Sequence, residues 1–162
     1  MLNPRAGGLI VTATSIATLG TVFASQYIGG LAPCVLCIYQ RYPFAVAIVL
    51  GLVAVAVAKG PLARLALMVA GLGLVIGAGI GVFHVGVEQQ WWQGTAECGG
   101  IDGASLSLEQ LKAEILAAPM VRCDEVAWSL FGISMAGYNV LLSLALALVA
   151  FAAARGERRR RQ

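Results

Sequence analysis

Four cysteines are the residues whose type and spacing most directly suggest chemistry in this chain. Cys34 and Cys37 form a CxxC pair at the predicted start of a helix, where the partial positive charge of the helix N-terminus stabilises a thiolate. A disulfide within this pair would close a very short loop and remove little entropy from the unfolded chain. Stabilisation by a structural disulfide is therefore a weak explanation for the presence of these two cysteines. The CxxC pair is therefore predicted to be redox-active.

The second pair, Cys98 and Cys123, is separated by a long segment. A disulfide closing such a segment would constrain the unfolded chain strongly, so structural and redox roles are equally supported for this pair. Zinc binding is the remaining chemistry that four cysteines allow, but structural zinc sites usually present two close pairs of ligands. Because the chain has one close pair, the sequence predicts no metal site.

Arg41 is an ionisable residue inside an apolar segment, where such residues are often functional. It follows Cys37 by four positions, so the two residues share a helix face. A guanidinium there could stabilise a thiolate or an anionic oxygen of a bound ligand. The alternative is that the side chain of Arg41 extends to the lipid headgroups without a further role.

His84 lies in another apolar segment, three residues after the last of three glycines that are spaced by four (Gly73, Gly77 and Gly81). Small residues at this spacing let membrane helices approach closely. His84 points to the same side of the helix and is predicted to face the bundle interior near the outer membrane surface. The alternative is a histidine whose hydrogen bond to a neighbouring helix satisfies it without further function.

The composition indicates the elements that position these residues. The 162-residue chain is 59% hydrophobic and only 12% charged, whereas soluble domains are about 45–50% apolar and about 25% charged. We therefore predict an all-α integral membrane protein, a four-helix transmembrane bundle forming a single domain over residues 1–162. The predicted membrane spans cover approximately residues 7–28, 37–58, 65–87 and 133–154. The first span is too long for a signal peptide and lacks a clear cleavage site, so it is predicted to be retained.

The distribution of basic residues predicts the orientation of the bundle, because cytoplasmic loops carry an excess of Lys and Arg. One side of the predicted membrane carries Arg5, Lys59, Arg64, Arg155 and the run 158–161, and the other carries Arg41, Lys112 and Arg122. Both termini are therefore predicted to be cytoplasmic. The basic tail serves this topology and is not predicted to bind nucleic acid. The outer loops, about 29–36 and 88–131, then hold or border all four cysteines in an oxidising compartment.

A short amphipathic helix is predicted within the second outer loop. Ser107 and Gln110 resemble a capping box, and apolar residues recur at helical spacing before Pro119 (Leu108, Leu111 and Ile115). This helix could lie on the membrane surface or pack on the top of the bundle.

Three stretches of the chain resemble the DsbB family of disulfide bond formation proteins. Residues 34–43 (CVLCIYQRYP) are similar to the redox motif of that family and the helix that follows it. Residues 84–88 (HVGVE) resemble the end of its third helix, and residues 123–137 (CDEVAWSLFGISMAG) resemble its second loop and the entry to its fourth helix. The order of spans and cysteine pairs also agrees, so the resemblance covers nearly the whole chain.

The resemblance implies four helices around a quinone pocket, with ubiquinone favoured over menaquinone. It implies an enzyme of the inner membrane that reoxidises a periplasmic, DsbA-like oxidase of the thioredoxin fold and passes the electrons to the membrane quinone pool. Such a partner is itself a strong oxidant, near −120 mV, so its reoxidation needs a strong electron acceptor.

The resemblance also implies residue roles. Cys98 would form the mixed disulfide with the partner, and Cys123 would be its loop mate. Cys34 and Cys37 would receive the electrons, with Cys37 reacting with the quinone. Arg41 would hold a quinone oxygen, with His84 nearby. Residues 99–103 match no motif of the family.

Two other functions fit parts of the same sequence. A membrane scaffold whose disulfides are only structural would also carry four spans and paired cysteines. A quinone-linked reductase of the vitamin K epoxide type resembles this fold loosely, but its catalytic CxxC lies on a different helix, which the early position of Cys34 and Cys37 contradicts.

Overall fold

The computed structural model of the protein describes residues 2–95, 98, 109 and 121–159. The described elements are five helices and two short strands. The helices are α1 (Pro4–Tyr27), α2 (Val35–Tyr39), α3 (Arg41–Val57), α4 (Pro61–Glu88) and α5 (Met135–Arg159). The strands are β1 (Ser129–Leu130) and β2 (Ile133–Ser134). The short helix predicted to begin at Ser107 and to end before Pro119 lies, except for residue 109, outside the described residues.

Four helical segments are long and apolar enough to cross a membrane, which confirms the predicted class of fold. They are Pro4–Tyr27, Val35–Val57, Pro61–Glu88 and Met135–Gly156. The second segment consists of α2 and α3, which meet at Gln40. The fourth begins at Met135 instead of near residue 133, because the two preceding residues are paired in a strand.

The ends of the helices follow local chemistry. The side chain of Asn3 accepts a hydrogen bond from the backbone N–H of Ala6 at 2.7 Å and caps α1, and Pro4 occupies the first turn, where its missing N–H costs nothing. The turn between α3 and α4 contains Ala58 at φ 60° and Gly60 at φ 100°, and Pro61 starts the next helix. These left-handed residues reverse the chain within a few positions.

The bundle is held together by small and aliphatic side chains. Helix α4 packs along both α3 and α5, and α1 packs against α3 and α5. Phe44, Leu67 and Leu74 are the largest fully buried side chains of the central core. Many large apolar residues on the outer faces are exposed, as expected where helices face lipid.

Two of the three spaced glycines of α4 lie at close contacts. A Cβ added to Gly77 would lie 2.9 Å from the Pro43 side chain, and one added to Gly81 would lie 2.7 Å from Cγ2 of Val140. A Cβ on Gly73 would meet nothing within 4 Å. The predicted packing stripe therefore applies to Gly77 and Gly81 and is wrong for Gly73, because at that level α4 meets α5 through Gly71, where an added Cβ would lie 2.6 Å from the Phe151 ring.

A two-stranded antiparallel hairpin precedes α5, with Ser129 opposite Ser134 and Leu130 opposite Ile133. Its turn residues Phe131 (φ 52°) and Gly132 (φ 77°) both adopt left-handed conformations. Such a hairpin was not predicted from the sequence, because two residues per strand are too few to show an alternating pattern.

Candidate redox site

Cys34 and Cys37 lie at the N-terminus of α2, with their sulfur atoms 2.8 Å apart and neither in a disulfide. Cys34 is the N-cap residue, and its Sγ accepts the backbone N–H of Cys37 at 3.3 Å. Cys34 is buried and Cys37 is half-buried. The helix N-terminus therefore favours negative charge on the first cysteine of the pair in particular.

His84 projects from α4 into this cysteine pair. Its side chain is only 3% exposed, its Nε2 lies 3.5 Å from Sγ of Cys34, and its Nδ1 lies 2.8 Å from Nε2 of Gln40. The histidine is thus hydrogen-bonded to a neighbouring helix, as in the alternative without further function, and it also contacts the redox pair. Close packing at Gly81 allows this approach, since the glycine lies one turn before the histidine.

Gln40 is a site residue that was not predicted from the sequence. It is buried at the junction of α2 and α3. When its amide N–H donates to Nδ1 of His84, the neutral ring carries its proton on Nε2 and donates toward Cys34. The available signal was an amide side chain inside an apolar segment, where a polar group needs a buried partner.

These contacts stabilise a thiolate on Cys34. The hydrogen bond from the Cys37 side chain is the main cause that lowers the pKa of the Cys34 thiol below its ordinary value, and the hydrogen bond from His84 adds to it. Burial acts in the opposite direction and is outweighed. A thiolate is the reactive form of cysteine in disulfide exchange.

Arg41, the first residue of α3, is directed toward α1. Its Nη1 donates a hydrogen bond to Oε1 of Gln26 at 2.7 Å, and its guanidinium carbon lies 5.0 Å from the centre of the Phe23 ring. Its Nε is buried and has no hydrogen-bond partner among the described residues. The arginine is therefore held against α1, half-buried, and its Nε–H remains a donor that could bind an oxygen atom of a ligand.

Cys98 and Cys123 form a disulfide with their Cα atoms 5.1 Å apart. The backbone N–H of Cys123 donates to the carbonyl oxygen of Cys98 at 3.3 Å, which joins the two backbone segments. Both cysteines are buried in one apolar cluster with Cys34, Leu36 and Val87. The sequence predicts that this pair lies in an outer loop, and in the structure it packs beside the first pair.

Polar groups flank the cluster on two sides. Glu88, at the end of α4, has a side chain only 5% exposed, and its Oε1 lies 3.9 Å from Nε2 of His84. Its Oε2 is buried without a hydrogen-bond partner among the described residues. On the exposed side, the Arg122 guanidinium lies 2.5 Å from the Asp124 carboxylate and lowers the pKa of that carboxyl.

The arrangement combines a disulfide, a neighbouring dithiol with a favoured thiolate, a histidine and an arginine with a free donor. A disulfide and a dithiol in one cluster can exchange electrons by thiolate attack on sulfur. The arginine and the half-buried Cys37 are the groups that could face a bound electron acceptor.

Comparison with known proteins agrees with this chemistry. The family model "Disulfide bond formation protein DsbB" matches residues 4–153. The chain is 33% identical to disulfide bond formation protein B of Polaromonas sp. (strain JS666 / ATCC BAA-500), over 90% of this chain and 88% of that protein. It is 31% identical to disulfide bond formation protein B 2 of Pseudomonas aeruginosa (strain PAO1), over 88% and 82% of the respective chains.

A third relative is an uncharacterised protein of Rickettsia prowazekii (strain Madrid E), 29% identical over 85% of this chain and 80% of that protein. No solved structure gave a significant match. The family and the four spanning helices together indicate a multi-pass protein of a bacterial inner membrane with disulfide oxidoreductase activity. The match over almost the entire length, with all four cysteines inside it, shows that the chain belongs to the DsbB family of disulfide bond formation proteins.

Proposed function

We propose that this protein reoxidises a periplasmic, DsbA-like dithiol oxidase of the thioredoxin fold and transfers the electrons to a membrane quinone. The observation that carries the proposal is the packing of both cysteine pairs in one cluster, in which Cys34, Cys98 and Cys123 are buried and Cys37 is half-buried. A relay between a soluble protein and a lipid-soluble acceptor needs two pairs close enough to exchange.

In the proposed reaction, a thiolate of the reduced partner attacks Cys98 and breaks its bond to Cys123. The second thiol of the partner then resolves the mixed disulfide, so the partner leaves oxidised and Cys98 and Cys123 are left as a dithiol. This dithiol exchanges with a disulfide between Cys34 and Cys37: one disulfide breaks, another forms, and two electrons move to the CxxC pair.

The residues around the CxxC pair fit a quinone. When bound, a quinone would supply the oxidising power, taking up the two electrons and two protons that the dithiol gives up. Arg41 would donate its free Nε–H to a quinone oxygen, and Gln26 would hold the guanidinium in place by accepting a hydrogen bond from Nη1. Cys37 would face the quinone. His84 and the helix N-terminus would keep Cys34 as a thiolate, whose sulfur lies 2.8 Å from the Cys37 sulfur with which it would form the disulfide.

The proposed orientation has both termini in the cytoplasm and the four cysteines on the periplasmic side. The support is the excess of basic residues in the segments at the opposite ends of the helices. Arg155→Cys, at an exposed position near the end of α5 and introduced in a chain without the native four cysteines, should react with a membrane-impermeant maleimide only after the inner membrane is opened. Labelling of this cysteine in intact spheroplasts would contradict the proposed orientation and place the C-terminus in the periplasm.

A turnover assay tests the proposed reaction. Purified protein should convert a reduced DsbA-like protein to its disulfide while the absorbance of oxidised ubiquinone falls in equal molar amount. Cys37→Ser should abolish both signals, because the dithiol can no longer form a disulfide. Ser25→Ala, at the exposed end of α1, serves as the matched control and should retain turnover. Full activity of Cys37→Ser would contradict the proposed route.

The burial of Cys98–Cys123 also favours a second candidate function, a membrane scaffold stabilised by a structural disulfide. The two functions differ in the reactivity of this bond. A relay disulfide should be reduced within the time of turnover by a reduced thioredoxin-fold partner, while a structural bridge should persist. Thiol titration after brief exposure to the partner separates them.

A further inference from the structure

Three potential metal ligands from two helices converge at the CxxC pair. The sulfur atoms of Cys34 and Cys37 and a ring nitrogen of His84 all lie within 4.8 Å of one another. Two thiolates and an imidazole are ligands that zinc prefers, and a CxxC pair at a helix start is a frequent half of such sites. The sequence predicted no metal site because only one close cysteine pair is present, but that count does not include a histidine that comes from the distant helix α4.

The distances are close to those of a tetrahedral site. With zinc–sulfur bonds of about 2.3 Å and zinc–nitrogen bonds of about 2.0–2.1 Å, a sulfur and a nitrogen ligand stand about 3.5 Å apart. Sγ of Cys34 and Nε2 of His84 are 3.5 Å apart. The two sulfurs, at 2.8 Å, would have to separate by about 1 Å. Cys37 is only half-buried, so a rotation of its side chain can provide this.

The surroundings of the histidine match those of a metal ligand. Metal-bound histidines usually donate their second ring N–H to a fixed acceptor. In the structure Nε2 of Gln40 lies 2.8 Å from Nδ1. A half-turn of the amide would place its oxygen there instead, and the oxygen would accept the Nδ1 proton and leave the lone pair of Nε2, which donates toward Cys34 without metal, for the metal.

Glu88 is a second, independent indication of a cation. Its carboxylate is 5% exposed, and Oε1 lies 3.9 Å from Nε2 of His84. Oε2 is buried without a partner among the described residues, which is costly for a carboxylate unless a positive charge is close. The His84 nitrogen close to the Glu88 carboxylate is Nε2, which is also the ring nitrogen close to Sγ of Cys34.

We propose that the reduced Cys34–Cys37 pair and His84 bind one Zn²⁺ ion, with Glu88 or a water as the fourth ligand. Any thiol still protonated releases its proton as the zinc–sulfur bond forms, and no electrons are transferred. The bound thiolates can then neither form a disulfide nor exchange with Cys98–Cys123. Zinc would therefore hold the enzyme in its reduced form and inhibit it, which goes beyond the proposed function.

The test uses the full chain with Cys98→Ser and Cys123→Ser, so that Cys34 and Cys37 are its only thiols. Titration of the reduced protein with Co²⁺, a spectroscopic substitute, should give one ion per chain, thiolate-to-cobalt charge transfer and the visible bands of a four-coordinate ion. Added Zn²⁺ should abolish these bands. Adding Cys34→Ser or His84→Ala should weaken binding at least tenfold, and the oxidised form of the same chain is the matched control that should not bind.

Equal cobalt binding by the oxidised and reduced forms, or unchanged binding after His84→Ala, would overturn the proposal. X-ray absorption at the zinc edge provides a test on the unaltered four-cysteine protein, should the histidine variant fail to fold. Two sulfur neighbours with nitrogen or oxygen neighbours support the site, and four sulfur neighbours overturn it. A protein that oxidises its partner normally but binds no zinc when reduced would refute this site alone.

Discussion

Cys34 is the residue whose chemistry depends most on its neighbours. Three groups donate toward its sulfur: the backbone N–H of Cys37, the side chain of Cys37 and the ring of His84. The resemblance to the DsbB family directs attention to the second cysteine of the pair, whereas these contacts place the stabilised negative charge on the first. The two cysteines are therefore expected to differ in reactivity, with Cys34 as the more acidic thiol.

A pH profile of alkylation tests this difference. Because the pKa of Cys34 is lowered, its thiolate fraction, and hence its reaction with iodoacetamide, should remain high as the pH falls below about 8.5, the ordinary cysteine value. Gln40→Leu removes the amide at Nδ1 of His84, so the inflection of Cys34 should move upward. Mass spectrometry distinguishes alkylation of Cys34 from that of Cys37. A profile that Gln40→Leu leaves unchanged would remove Gln40 from the site.

Arg41 is predicted to control the affinity for quinone. Arg41→Ala removes a charged donor, whose hydrogen bonds are worth about 1.5–3 kcal/mol, so the quinone concentration for half-maximal turnover should rise about 10- to 100-fold. The maximal rate at saturating quinone should change less. Arg64→Ala, at the other end of the bundle, is the matched control. An unchanged quinone dependence in Arg41→Ala would contradict the proposed contact.

At the scale of elements, the site depends on how closely α4 approaches its neighbours. Gly81 brings this helix against Val140 of α5, one turn before His84. Gln40, on the adjoining helix junction, can then reach the histidine ring. The break between α2 and α3 at Gln40 also leaves Cys34 and Cys37 on their own short helix, with its separate N-terminus.

Two glycines of α4 form a matched pair for testing this packing. Gly81→Ala would place a Cβ 2.7 Å from Val140, so it should destabilise the bundle by about 1–3 kcal/mol and lower its thermal midpoint in detergent. Gly79→Ala meets nothing within 4 Å and should be neutral or slightly stabilising, since alanine is the better helix former. Equal midpoints for the two variants would contradict the close approach at Gly81.

At the scale of the whole molecule, the two cysteine pairs lie in one cluster, buried except for the half-buried Cys37, that joins the CxxC helix, the end of α4 and the segment before the hairpin. A soluble partner cannot reach Cys98 while it is only 5% exposed. If the proposed function holds, oxidation of the partner requires the cluster to open, and we predict that this opening precedes thiol exchange.

Reduction kinetics should reveal the opening step. In a Cys34→Ser, Cys37→Ser chain, the rate of reduction of Cys98–Cys123 should rise with reductant concentration and then reach a plateau set by the opening rate. Mild denaturant should raise that plateau. A rate that stays proportional to reductant concentration throughout would mean that the disulfide is freely accessible.

The amino-acid sequence by itself determined the four spans and the resemblance to the DsbB family, because composition, apolar length and short motifs are local properties. It also predicted that Arg41 and His84 lie with the CxxC pair. Only the tertiary structure decided that His84 binds Gln40 and Cys34, that Arg41 pairs with Gln26, and that Cys98–Cys123 is buried.

The physical reason is that these contacts join distant parts of the chain. His84 meets residues 44 and 50 positions away, and the contact depends on the rotation of each helix about its axis. That rotation is set by close packing at positions such as Gly77 and Gly81, where the shape of the facing helix matters as much as the glycine. Gly73, with the same spacing but no close neighbour, shows that the local pattern alone does not decide which glycine lies at an interface.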